Sequence, residues 1–133
     1  MSKIIETVKG LPNYSRVGKT SDAMINDSEL LLGLKFANEY REYLAEFGAV
    51  SGVGIELTGI ISVDYRHVVS ATKQEWEFNL KVPRTMYVVE NVYFDDIIIW
   101  QDADGSIYRT MPNAEPKQIA SSLSEYILGR VKR

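Results

Sequence analysis

The chain offers little to covalent or metal chemistry: among its 133 residues there is one histidine and no cysteine. His67 stands beside Arg66 near the start of an expected helix. A lone imidazole with no Ser or Asp motif around it caps a helix or sits on a surface rather than activating a nucleophile. Asp95-Asp96 is a carboxylate pair in sequence, but neighbours in an extended strand point to opposite faces and share no proton; only a turn lets them converge. Asp102-x-Asp104-Gly105 carries part of a calcium loop. The full motif needs a third oxygen ligand before the glycine and a glutamate where this chain has Met111, so turn chemistry is the stronger reading. Gly48, Gly52 and Gly54 lack the strand–GxGxxG–helix order and a following Lys-Ser/Thr, and read as turn glycines rather than a phosphate cradle. Glu56, Asp64 and Glu75 would have to serve any hydrolase, with no motif behind them. The expectation is therefore a protein with no catalytic residues, no cofactor and no metal.

The elements that position these residues centre on Met86–Met111. Three apolar runs there, Met86–Glu90, Ile97–Trp100 and Ser106–Thr110, are rich in Val, Ile, Tyr and Trp and separated by Asn, Asp and Gly, the pattern of an antiparallel meander. Asp102-Ala103-Asp104-Gly105 supplies acids that bond nearby backbone and a glycine that tolerates positive φ, and marks the second turn. Ile97, Ile98, Ile99 and Trp100 have no polar break between them, which predicts a strand covered on both faces.

Upstream, the first twenty residues read as a short helix or strand followed by an irregular lead-in. Thr20 or Ser21 caps a helix that turns Met24, Ile25, Leu31 and Leu32 inward and stops at Gly33. Asn38 is the expected cap of a second helix, where Tyr40, Tyr43, Leu44 and Phe47 recur at i, i+3, i+4, i+7 up to Gly48. Ile55–Ile61 reads as a strand with a bulge at Gly59. Asp64–Phe78 has helical spacing in Tyr65, Val68, Val69, Thr72 and Trp76, with Asp64 as its cap. After Pro112 and Pro116, Lys117–Val131 reads as a closing helix. The sum is a single α+β domain over residues 1–133, with an antiparallel sheet of about five to six strands and helices packed at its N-terminal and C-terminal ends.

The net charge of −3 is unevenly spread. Residues 51–104 hold nine acids against four basic residues, while residues 105–133 hold five basic residues against two acids. So acidic a middle repels phosphates and attracts a basic protein, which argues against direct nucleic-acid binding. No segment has the length and apolarity of a bilayer span, the Met1-Ser2-Lys3 start leads into no long apolar run, and the lack of cysteine fits a reducing compartment, so a cytoplasmic protein is expected.

The order Ile25-x-x-x-Glu29-x-x-Leu32-Gly33-Leu34-x-Phe36, then Tyr40-x-x-Tyr43-Leu44-x-x-Phe47-Gly48, then Gly52 and Leu57-x-Gly59, resembles the opening of the SUKH superfamily, named partly for yeast cell-wall assembly regulators. The likeness continues through Val68-Val69-x-x-Thr72 with Glu75, Val82-Pro83, Tyr87-Val88-Val89-Glu90-Asn91, Gln101-Asp102-x-Asp104-Gly105-x-Ile107-Tyr108 and Ser121-Ser122-Leu123-x-x-Tyr126-Ile127, and is clearest over residues 20–128. One departure is Ala37, where many relatives have proline in the first turn of the second helix. The resemblance implies an α+β fold without catalytic groups. It also implies an immunity protein that binds and blocks a cognate bacterial toxin, a nuclease-type one above all, or else a regulatory adaptor like the yeast relatives.

Acids and aromatics together are what a protein-binding surface for a basic toxin would use. The candidate partner-binding residues are Glu90, Tyr93, Asp95, Asp96, Trp100, Asp102, Asp104 and Tyr108. If Trp100 is core, the exposed set changes, because adjacent strand residues face opposite ways.

Overall fold

The computed structural model describes residues 2–52, 54–112 and 114–131. The chain runs α1 (Lys3–Lys9), β1 (Ser15–Arg16), α2 (Asp22–Leu32), α3 (Asn38–Phe47), β2 (Val50–Gly52), β3 (Ile55–Glu56), a 3-10 turn (Asp64–Arg66), α4 (Val68–Phe78), β4 (Tyr87–Asn91), β5 (Ile98–Gln101), β6 (Ile107–Thr110), β7 (Lys117–Ala120) and α5 (Leu123–Val131). The fold is α+β, but the strands form two antiparallel sheets, β1-β2-β3 and β4-β5-β6-β7, instead of one sheet of five to six strands. The expected strand Ile55–Ile61 is cut to Ile55–Glu56; beyond it Leu57 and Gly59 make isolated bridges to Glu90 and His67, and Gly59 lies directly on the Gly48 carbonyl, where any Cβ would collide with it. Among the described residues a single bridge, Leu57 to Glu90, joins the small sheet to the large one.

The meander is present as read: β5 pairs with β4 on one side and β6 on the other, with Trp100 opposite Val88 and Tyr108. Period-2 alternation puts Val88, Ile98, Trp100 and Thr110 on one face and Tyr87, Ile99, Gln101 and Ile107 on the other. Both faces are covered. On the first, α4 docks through Thr72, whose Oγ1 accepts the Val88 N–H at 2.9 Å, and through Trp76, whose Nε1 donates to the Met86 carbonyl at 3.2 Å. On the second, Tyr87 accepts the Ala37 N–H at 3.0 Å and donates to Gln101 at 2.8 Å, which ties the start of α3 to the sheet. Proline at position 37 would remove that donor, which gives the departure from the family pattern a physical reason.

The helices follow their capping chemistry with four corrections. Ser21 caps α2 by accepting the Met24 N–H, and Gly33 ends it at φ 71°. Ile25 and Leu32 are buried, but Met24 and Leu31 are exposed, because the buried stripe of α2 uses Ser28 and Glu29 instead. Tyr40, Tyr43, Leu44 and Phe47 are all enclosed in the core. Asn38 is the first residue of α3 and not its cap; Ala37 takes that place without a side-chain bond. Asp64 opens the 3-10 turn, and the cap of α4 is His67, whose Nδ1 accepts the Val69 N–H at 3.2 Å. Finally, Lys117–Ala120 is a strand paired with β6 rather than the start of the closing helix, which begins at Leu123.

Candidate partner-binding surface

The eight residues singled out by sequence fall into three groups. Trp100 and Glu90 are interior, at 0% and 2% exposure, and meet no partner in the folded protein. Trp100 fills the sheet's α4 face and donates from Nε1 to Thr110 Oγ1 at 2.9 Å. The Glu90 carboxylate accepts the Glu56 N–H at 2.9 Å, pairs with Arg130 and accepts the Tyr126 hydroxyl, so it clamps β3, β4 and α5 together. Their inclusion in a binding surface is corrected on burial alone.

Asp102, Asp104 and Tyr108 form the second group. Asp102 Oδ1 accepts the N–H groups of Asp104 and Ser106 at 3.0 and 3.1 Å, and Oδ2 accepts the Tyr108 hydroxyl at 3.1 Å. This is an Asx turn closed by Gly105 at φ 97°, and it accounts for the acid-x-acid-Gly pattern without a metal.

Tyr93, Asp95 and Asp96 form the third group, at the opposite end of β5. The two acidic turns are separated by the whole strand, roughly 20 Å at about 3.3 Å per residue. They therefore do not build one continuous acidic face. In the Tyr93–Asp96 turn, Tyr93, Asp95 and Asp96 all have positive φ, at 58°, 53° and 54°. Three left-handed non-glycine residues in four positions cost backbone energy, and such strain gathers where a loop presents something. Asn91 Oδ1 secures it by accepting the Tyr93 N–H at 2.8 Å. What it presents is Tyr93 and Phe94, 60% and 65% exposed, beside both aspartates.

Neighbouring elements extend this surface. Tyr65 meets Tyr93 edge-on with ring centroids 6.3 Å apart. Between α4 and the sheet lies a cavity of about 460 Å³ walled by Glu75, Asp96, Asn79, Asn91 and the ring of Phe78. Burial, followed by the nearby Asp96 charge, pushes the Glu75 carboxyl above its ordinary range even though Asn79 donates to it at 3.2 Å. Burial and then the charge of Glu56 push the Tyr93 hydroxyl up as well. No cation pairs with Glu75 or Asp96 among the described residues. The result is an acidic, aromatic surface whose field favours a cation. Of the three acids a hydrolase would use, only Glu75 reaches this cavity, and among the described residues no group of three metal-ligating side chains converges.

Sequence reasoning missed Tyr65 and Phe78. Tyr65 looked like part of a continuous helical stripe, but the 3-10 turn before His67 shifts it out of phase and leaves it 54% exposed. Phe78 lies two residues beyond buried Trp76, off the inward stripe of α4, and that spacing was the available signal.

The other face of the same sheet end carries a second cavity, of about 550 Å³, between β5–β7 and α5, with Phe94, Ile97, Ile99, Arg109, Ile119 and Glu125 in its lining. No described helix is long and apolar enough to cross a membrane. Residues 1–132 match a family model described as SMI1-KNR4 cell-wall, SUKH_5. No curated protein matches the chain.

Proposed function

Because this chain belongs to the SUKH_5 family of SMI1-KNR4 cell-wall proteins, we propose that it is an immunity protein: it binds a cognate bacterial toxin in the cytoplasm and transforms no substrate itself. The observation that carries this reading is the strained turn Tyr93–Asp96, which exposes two aromatic rings and two carboxylates, one of them, Asp96, in the wall of the acidic cavity of Glu75. Aromatic rings at the centre of such a surface supply affinity, and unpaired carboxylates around them choose a basic partner and speed the encounter. A nuclease-type toxin presents such a basic surface, because its substrate is a polyanion. Masking it with carboxylates inhibits by occupation and needs no chemistry. Asp102, Asp104 and Tyr108 lie at the other end of β5 and stand outside this contact.

The test is co-expression with a toxin-like gene found beside this one. Protection that disappears when Tyr93, Phe94 and Asp95 are replaced together supports the reading; unchanged toxicity in the presence of the intact protein ends it for that pair.

The family description, which refers to the cell wall, favours a second reading as a non-catalytic regulatory adaptor. An adaptor retains several cellular proteins in a pull-down, whereas an immunity protein retains one toxin.

A further inference from the structure

The cavity between α4 and the sheet contains an acceptor that the protein itself leaves unused. Asn79, the residue that ends α4, lines that cavity and is only 7% exposed. Its Nδ2 donates to the Glu75 carbonyl at 2.8 Å and to Glu75 Oε1 at 3.2 Å, but its Oδ1 accepts no hydrogen bond among the described residues. Every fully occluded side-chain oxygen and nitrogen among them has a partner, so this oxygen opens into the cavity that Asn79 lines. An acceptor so nearly buried takes its donor from outside the chain.

The other walls define what that donor is. Glu75 and Asp96 bring two carboxylates, neither paired with a cation among the described residues, and Phe78 and Ile98 add apolar surface, Phe78 with an exposed ring. A guanidinium answers all three features: it is a cation, it holds several N–H donors in one plane, and it is weakly hydrated and stacks on aromatic faces. An ammonium is a compact, strongly hydrated point charge and uses the ring and the amide oxygen less well. We infer that this cavity receives one arginine side chain of the partner protein, its guanidinium shared among the Glu75 and Asp96 carboxylates and Asn79 Oδ1 and resting on Phe78. The inference deepens the toxin reading and rests on it for the identity of the partner. Asp96 belongs both to the exposed turn and to the cavity wall, so one docking event engages both. Free arginine is a poorer occupant than an arginine within a chain, because the same acids repel its own α-carboxylate.

Nuclear magnetic resonance titration of the isotope-labelled full chain tests the site without any toxin. The probes are arginine blocked at both ends, and lysine and citrulline blocked in the same way. The expected result is a saturable shift of the Asn79 side-chain amide signals by arginine with a millimolar dissociation constant. Binding of lysine is weaker by about threefold or more, and citrulline, which keeps the shape and lacks the charge, does not saturate. Glu75→Gln and Asp96→Asn each weaken arginine binding by about threefold or more, the effect of losing one partly exposed charge pair, while Asp104→Asn at the far end of β5 leaves it unchanged. Circular dichroism of each variant checks that it folds. No shift up to about 50 mM arginine overturns the inference. So do equal responses to arginine and citrulline, or to arginine and lysine. The toxin reading fails on a different result, toxicity unchanged by the intact protein in co-expression, whereas protection that survives Glu75→Gln combined with Asp96→Asn overturns the arginine contact alone.

Discussion

Glu39 in α3 accepts the backbone N–H of Leu123, the first residue of α5, at 2.7 Å, across 84 positions of sequence. Its second oxygen accepts the N–H and hydroxyl of Ser124 at 3.0 and 3.1 Å, and the first also accepts Gln101 Nε2 at 3.0 Å. The opening turn of α5 is thus capped by a residue from another helix, and the same carboxylate holds the central strand. A negative charge at a helix N-terminus is favourable, and the orphan N–H groups there need acceptors.

Replacing Glu39 by Ala should therefore destabilise the protein by about 1–3 kcal/mol, more than an ordinary cap, because it also leaves the buried Gln101 amide short of an acceptor. Urea denaturation measures this. A change no larger than that of the exposed Glu42→Ala would show that α5 is held by packing alone.

His67 makes stability depend on pH. Burial pushes its imidazole below the ordinary value of 6.5, against a weaker upward pull from Asp64. Its Nδ1 accepts the Val69 N–H, which a protonated nitrogen cannot do. With the folded value below the unfolded one, the unfolded chain binds the proton more tightly in that interval. This contribution is complete above 6.5 and is lost as pH falls through the lowered value. Denaturation midpoints between about pH 5 and about pH 8 should show that loss, and His67→Ala should flatten it.

Two aromatic substitutions should separate folding from binding. Trp100→Ala, at a fully enclosed position, should cost about 3–5 kcal/mol and abolish cooperative unfolding in marginal conditions. Tyr93→Ala, in the exposed turn, should change stability by under about 1 kcal/mol yet weaken toxin binding about tenfold or more. Equal loss of binding and stability in both would remove the turn from the interface.

Glycine-to-alanine changes should have opposite signs at two positions. Gly59→Ala places a Cβ against the Gly48 carbonyl and Ala49, backbone that cannot yield, and should prevent folding or cost more than about 3 kcal/mol. At Gly129, exposed on α5 with nothing near the added Cβ, alanine should stabilise by about 0.5–1 kcal/mol. Thermal denaturation of both variants reads the two signs directly.

Local chemistry written into neighbouring residues determined much of this protein. The meander, the buried stripe of α3, the Gly33 stop and the Asp102 turn each depend on periodicity or on bonds spanning a few positions, and all were legible without coordinates. The split into two sheets was not legible, because it depends on which strands pair across the chain, and neither that pairing nor the close approach of Gly59 to Gly48 carries a periodic signal. Nor was the strand at Lys117–Ala120, whose mixed residues take up β structure only because β6 offers an edge to pair with. The candidate surface divides in the same way. That Asp95, Asp96 and Tyr93 lie at the surface agrees with their residue types, whereas Glu90 and Trp100 look no different in a list of acids and aromatics. Only packing decided that those two lie inside, with the Glu90 charge met by Arg130 from a helix that sequence cannot bring near.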